Sequence, residues 1–320
     1  MKIATVTDCH IMDRSPKNRK DKVRETIFKK LEWCYQTAID NKCAYMLIPG
    51  DLFDSSNSSY ELVSDFVSLL LKYPLEIRTL VVPGQHDMRY HTRGLKNTPL
   101  GLLEASMLVQ IPTIENPIVL NNETKVYGCG WGDEPKLKEL MDSETGIEHQ
   151  KDILLIHKTI TYRDPLFPGQ IDYINAESFL KRYPFKLVLS GDNHQRFQYT
   201  LGWQTLVNGG SVLRLSKDQK DYQPRMHIID LDTGKKPVTY FYLNIPIEKN
   251  VFNEEELKEE EERDERKAKM DDLLAKIAID QTKLDFPTIL NSLTEKTKPN
   301  KRVMEMLDDI LEKAHMGLGG

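Results

Sequence analysis

Five short polar clusters, each placed directly after an apolar run, constrain this chain more than any other feature. In order they read Asp8-Cys9-His10, Gly50-Asp51-Leu52-Phe53-Asp54, Gly84-Gln85-His86-Asp87, the single His157, and Gly191-Asp192-Asn193-His194. The runs before them, residues 2–7, 44–49, 77–82, 154–156 and 187–189, read as buried strands. Between the first runs, residues 22–40 put Val23, Ile27, Leu31 and Cys34 on one helical face. Residues 59–72 do the same with Leu62, Phe66, Leu69 and Leu70. Alternation of strand and helix predicts an α/β fold, in which ligands gather off the carboxyl ends of the strands. Residues 195–243 change character, with short strands at 197–200, 205–207, 227–230 and 238–243 joined by Gly-rich or Asp-Thr-Gly-Lys turns. Strands following βα units predict a β-sandwich of two mixed sheets flanked by helices.

The clusters carry the chemistry. In an extended chain, side chains at i and i+2 share a side, which places Asp8 with His10 and Asp192 with His194. Carboxylates and imidazoles converging on one sheet edge need a counter-charge, because ionised carboxylates buried alone cost several kcal/mol. A pair of divalent cations supplies it, and mixed His and carboxylate donors suit Mn²⁺, Fe²⁺ or Zn²⁺ better than Ca²⁺. Taken singly, a Gly-Asp after a strand is most often a turn, and a lone His is most often a loop residue. Five such clusters at strand ends, in an order that closes one site, are not explained that way.

Composition narrows the setting. The 320 residues are 39% hydrophobic and 29% charged, enough for one large domain with appendages around a sizeable core. No apolar run reaches eighteen residues, so no membrane-spanning helix is expected. Cys9, Cys34, Cys43 and Cys129 show no Cys-x-x-Cys spacing, and the first residues reach Asp8 without a signal-peptide core. A reducing, cytoplasmic location is the expectation. The net charge of −5 is uneven, since residues 251–280 hold twelve acids against six bases. A polyanionic substrate would therefore be met by local basic patches. Two flank the clusters: Arg14, Lys17, Arg19 and Lys20 after the first, and Arg89, Tyr90, His91 and Arg93 after the third. Bases with an aromatic among them suit a phosphodiester backbone, although basic loops are also ordinary solvated surface.

After Pro246 the composition shifts, dividing the chain into a domain at 1–245 and an acidic linker with helices at 246–320. Residues 254–279 carry a narrow stripe of Met270, Leu273, Leu274 and Ile277. A last helix near 301–315 aligns Val303, Leu307, Ile310 and Leu311. Stripes this narrow are unstable alone. They pack either on their own domain or on a partner.

The ordered set Asp8-x-His10, Gly50-Asp51-x-x-Asp54, Gly84-Gln85-His86-Asp87, His157 and Gly191-Asp192-x-His194 resembles the signature of the calcineurin-like metallophosphoesterases. Within that superfamily the chain looks most like SbcD-type DNA-repair nuclease subunits. Gly-Asp-Leu-Phe-Asp at 50–54, the Gly209-Gly210-Ser211 turn and the run from His227 to Gly234 support this. The resemblance covers 1–245 firmly and the helical extension in outline.

It implies one metal held by Asp8, His10, Asp51 and His194, and a second held by Asp51, Gln85, His157 and Asp192. His86 would protonate the leaving oxygen, and Asp87 would orient it. Gln85 stands where Asn is usual and Asp192 where His is usual. Both changes fall on the second metal, which is expected to be kept and to favour Mn²⁺ or Mg²⁺ over Zn²⁺, with its loss as the rival outcome. A hydroxide bridging the two ions would attack phosphorus in line. The resemblance further implies a DNA exo- and endonuclease, a homodimer, and docking of the terminal helices on an SbcC-type coiled-coil ATPase. A phosphoesterase of small phosphodiesters and a non-catalytic DNA-binding scaffold are the alternatives. The capping region of longer relatives looks short or missing.

Overall fold

Alternation within single strands shows how the layers form. In β2 (Cys43–Ile48), Tyr45 and Leu47 point to one face while Met46 and Ile48 point to the other, and all four are buried. A strand buried on both faces belongs to the middle of a layered molecule. The computed structural model describes residues 1–270 apart from 74–76, 90–93, 144–148, 168, 217–218, 234–237, 248–250, 257, 260–261, 264–265 and 267–269.

Two mixed sheets make up the body. The first contains β1 (Lys2–Thr5), β2, β3 (Arg78–Val81), β12 (Arg225–Asp230) and β13 (Thr239–Asn244), in the order β13-β12-β1-β2-β3. In it β1, β2 and β3 run parallel, and β12 and β13 close one side antiparallel. The second orders β10 (Phe197–Leu201), β11 (Gln204–Asn208), β9 (Phe185–Gly191), β6 (His149–His157), β5 (Lys125–Cys129) and β4 (Ile118–Val119). Its inner strands β11, β9, β6 and β5 are parallel. A separate parallel pair, β7 (Ile160–Thr161) and β8 (Ile174–Asn175), follows β6.

Apolar side chains from both sheets meet in one cluster: Ile3, Leu47, Leu80 and Ile229 against Ile153, Leu155, Leu187, Leu189 and Val207. The opposite face of the first sheet packs under α1 (Val23–Asp40), α2 (Tyr60–Leu71) and α3 (Pro99–Ala105). That of the second packs under α4 (Glu134–Ser143) and α5 (Ala176–Arg182). The molecule is therefore the two-sheet, helix-flanked sandwich that the sequence predicts.

Helix starts are satisfied locally. Ser59 accepts from Leu62 N at 3.1 Å, Thr98 from Gly101 N and Asn175 from Ser178 N. The first residue of α1 instead donates to Ser15 Oγ at 3.0 Å, eight residues upstream.

The chain divides into Met1–Asn253 and Glu254–Gly320. Residues 246–253 are tied to the first unit, through Lys30 Nζ to Pro246 O, Lys20 N to Val251 O and Asn253 N to Asn18 O. Of the expected helix over 254–279, the described residues 254–256, 258–259, 262–263, 266 and 270 are helical. Met270 is half-buried, whereas Leu273, Leu274, Ile277, Val303, Leu307, Ile310 and Leu311 lie outside the described residues. No helix among the described residues is long and apolar enough to cross a membrane.

Candidate metal centre

The five clusters meet at the carboxyl ends of β1, β2, β3, β6 and β9, so each sheet supplies part of one centre. Asp8, His10 and His194 offer ligand atoms within 4.8 Å of one another. Nε2 of His10 and of His194 face each other at 3.2 Å, with Asp51 Oδ2 3.9 Å from the former. A second set joins Asp8, Asp51 and His157 within the same limit. Around it, His157 Nε2 is 3.4 Å from Asp51 Oδ2, 2.9 Å from Gln85 Oε1 and 3.8 Å from Asp192 Oδ1. All seven side chains singled out as ligands thus come together. Asp8 takes part in both sets, a position that sequence reasoning gave to Asp51 alone.

The means of convergence differs from the expectation. Asp8, His10, Asp51 and Asp192 have φ of 49°, 46°, 47° and 77°, in the left-handed region rather than the extended one. Simple i, i+2 alternation therefore does not align Asp8 with His10 or Asp192 with His194. Turns do, at roughly 1–3 kcal/mol per residue, and they persist because neighbours pin them. His10 N donates to Asp51 O at 3.0 Å, Asp192 N to Asp8 Oδ1 at 2.9 Å, and Thr7 Oγ1 to Asp8 Oδ2. From the Gly209-Gly210-Ser211 turn after β11, Ser211 N donates to His194 O at 3.3 Å. A Cβ on Gly84 would lie 2.0 Å from Asp51 Oδ1, so only glycine lets the third cluster approach the second.

Two expected roles are corrected. Asp87 does not reach His86. Its buried carboxylate accepts from Leu52 N, Phe53 N and Gly84 N at 2.9–3.2 Å, fastening the second and third loops together. Burial, reinforced by Asp51, pushes its pKa up to about 6. The group that orients His86 is the backbone carbonyl of Asp54, 2.9 Å from its Nδ1.

Arg19, expected on DNA, is buried. Its guanidinium is bidentate to Asp21 at 2.7 and 2.8 Å and donates to Arg214 O. Sequence cannot distinguish a solvated arginine from a buried one in a basic loop. Arg19→Met is expected to lower stability by about 2 kcal/mol, read by urea unfolding. An unchanged midpoint would show the pair to be dispensable. Arg14, Lys17 and Lys20 are exposed and Arg89 is half-buried, while Tyr90, His91 and Arg93 lie outside the described residues.

Two residues without an assigned role join the centre. Asp54 Oδ1 is 3.3 Å from His10 Nδ1, and Thr159 Oγ1 donates to Asp192 Oδ2. Asp54 had a signal, as the second acid of the Gly-Asp-Leu-Phe-Asp cluster. Thr159 had none.

The electrostatics are those of opposed charges crowded together. Burial disfavours charge on His157, but Asp51, Asp8 and Asp192 outweigh it and raise its pKa to about 10. Burial likewise works against the Asp51 carboxylate, yet His157, His10 and His86 hold it down to about 2. His10 is raised, with Asp54, Asp51 and Asp8 overcoming burial, and Asp54 is lowered by His10. His194 is lowered by burial.

One atom tests whether cations fit here. Asp51 Oδ2 is buried and makes no hydrogen bond of ordinary geometry, although it lies within 4 Å of two imidazole nitrogens. A buried carboxylate oxygen left without a donor is what a cation would satisfy. Three carboxylates, three imidazoles and an amide oxygen form a donor set for two divalent ions.

Residues 1–196 match the calcineurin-like phosphoesterase family. The chain belongs to this family. Its centre is accordingly that of a metal-dependent phosphoesterase. The DNA double-strand break repair protein Mre11 of Methanosarcina acetivorans is 28% identical over 227 residues, 66% of this chain. Those residues are 34% of that protein, so the phosphoesterase spans about a third of its relative's length. Among solved structures, a Staphylococcus aureus protein assigned as a 5′-nucleotidase, in complex with α-ketoglutarate, superposes with a TM-score of 0.47. The identity is 10%, over 81% of this chain and 56% of that one. An archaeal phosphodiesterase gives 0.39 at 14% identity, over 76% of this chain and 100% of the other.

Proposed function

We propose that this phosphoesterase is a DNA nuclease that hydrolyses phosphodiester bonds with two divalent ions, Mn²⁺ or Mg²⁺, and works with a coiled-coil ATPase. The observation that carries the reading is the orphaned Asp51 Oδ2, which lies between His157 of its own ligand set and His10 of the other. Asp8, His10, Asp51 and His194 would hold one ion, and Asp51, Gln85, His157 and Asp192 the other. Bound ions there supply Lewis acidity toward the phosphate and a water nucleophile active at neutral pH. Asp192 and Gln85 offer hard oxygen donors, which favour Mn²⁺ and Mg²⁺ over Zn²⁺.

The chain's own residues do the rest. His86 lies exposed at the mouth of the centre, its ring edge-on to His10 at 5.0 Å. A carbonyl only accepts, so the contact with Asp54 O places a proton on Nδ1 and leaves Nε2 to exchange one with the substrate. Once Nε2 has taken up a proton, it passes that proton to the leaving oxygen and returns to its unprotonated form, while Nδ1 keeps its own.

DNA as substrate is supported by the name of the Methanosarcina relative, and by Arg14, Lys17 and Lys20 exposed on the loop after the first cluster. Arg89, Tyr90, His91 and Arg93 would extend that basic surface. The stripes Met270/Leu273/Leu274/Ile277 and Val303/Leu307/Ile310/Leu311 would dock on the ATPase, and the protein would act as a dimer in the cytoplasm.

Digestion of end-labelled linear DNA with Mn²⁺, Mg²⁺ or chelator, with Asp51→Asn as blank, tests the reading. Metal-dependent shortening absent from the blank is expected. Intact DNA beside rapid hydrolysis of a small phosphodiester would replace it with a small-substrate phosphoesterase. Intact DNA and an intact small phosphodiester, from folded protein, would leave a scaffold.

A further inference from the structure

The two residues in which this centre departs from the usual ligands touch each other. Gln85 follows β3 in one sheet and Asp192 follows β9 in the other, 107 residues apart, yet Gln85 Nε2 donates to Asp192 Oδ1 at 3.0 Å. The opposite end of the same amide, Oε1, meets His157 Nε2 at 2.9 Å. A carboxylate only accepts, so the orientation is fixed, with the NH₂ toward Asp192 and the carbonyl toward His157. The second oxygen of Asp192 accepts from Thr159 Oγ1. The result is one continuous chain, His157–Gln85–Asp192–Thr159.

Each member depends on the next. A side chain one methylene shorter at 85 would not span His157 and Asp192 together. An imidazole at 192 would give up the two-oxygen acceptor that meets both Gln85 and Thr159. Either change alone leaves a polar group without its partner, which costs more than replacing both. Asp192 also sits at φ 77°, a conformation a non-glycine residue keeps only when its surroundings fix it.

We propose that Gln85, Asp192 and Thr159 form one positioning unit at the second metal position, with Thr159 setting the Asp192 carboxylate and Asp192 setting the Gln85 amide. The proposal rests on the two-ion reading above and deepens it. Gln85 and Asp192 are then a single matched change rather than two losses, and Thr159 is a positioning residue that touches neither substrate nor metal.

Calorimetric titration of the full chain with Mn²⁺ tests it on wild type, Thr159→Val and Thr159→Ser. Wild type is expected to show two steps. Thr159→Val should leave one step unchanged and weaken the other ~10-fold, and Thr159→Ser, which keeps the hydroxyl, should restore it. Two wild-type steps with Thr159→Val unaltered, or with both steps weakened alike, would overturn the unit and spare the two-ion reading. A single wild-type step would overturn that reading and the unit with it. The second measurement needs no metal. Thermal unfolding in chelator of Gln85→Asn, Asp192→His and the double variant should show the double losing less than the sum of the singles. Additive losses would overturn the coupling.

Discussion

Asp51→Asn is expected to lower metal-dependent turnover by at least ~10³-fold while leaving a folded protein. The residue belongs to one ligand set with Asp8 and His157 and lies beside His10 of the other, with Oδ2 3.9 Å from His10 Nε2 and 3.4 Å from His157 Nε2. Its other oxygen accepts from His86 N at 3.0 Å, and an amide oxygen can take over that bond. What the amide cannot supply is negative charge at the atom that lies between His10 and His157. The backbone should tolerate the change, because φ is 47° and Asn accepts the left-handed region as readily as Asp. Circular dichroism should therefore match wild type, while Mn²⁺ titration shows weakened binding at both positions. Turnover within tenfold of wild type would remove Asp51 from the centre of the chemistry.

Gly50→Ala is expected to be strongly destabilising, by about 3–4 kcal/mol. Gly50 has φ 93°, where an added side chain is strained by about 1–2 kcal/mol. Its Cβ would also fall 2.1 Å from His157 Nδ1 and 2.8 Å from His157 Cβ. His157 cannot step aside, being fully buried with Nδ1 bound to Pro49 O at 2.8 Å, so crowding adds about 1–3 kcal/mol. Any accommodation displaces a proposed ligand, and Mn²⁺ affinity should fall together with the urea midpoint. A midpoint within about 0.5 kcal/mol of wild type would mean that the β2–β6 contact yields easily.

The strands that lead into the clusters were legible because both faces of each are apolar and each stops at a polar group. β1, β2, β3 and β9, with α1 and α2, fall within about two residues of the expected bounds. β6 begins earlier than expected, at His149, where the register with β9 shifts and the half-exposed Gln150 and Asp152 interrupt the apolar run. α3, α5, β4, β7 and β8 were not anticipated, being only two to seven residues long and too short for a periodic signal. α4 is longer, but buries only Leu137.

Within the centre, residue type and order pointed to side chains that the fold does bring together, and what escaped was geometry. Nothing in the letters of Asp8-Cys9-His10 marks two left-handed residues, since no glycine announces them. Thr159 reaches Asp192 over 33 residues of chain, a contact that follows from the pairing of β6 with β9, which sets His157 opposite Gly191. Asp87 was misread because proximity in sequence to His86 counts for less than three backbone donors converging on its carboxylate.

That both sheets contribute to the centre also fixes when in the protein's life it exists. Asp8 and Asp192 are joined by a hydrogen bond across 184 residues, and His10 meets His194 across the same separation. Closing loops of that length is among the slowest and entropically most demanding steps of folding. A nascent chain that has not yet made β9 carries Asp8, His10 and Asp51 but neither Asp192 nor His194. Hydrolytic competence is thus acquired late, and capture of metal at the two proposed positions would report that the two halves of the sandwich have closed.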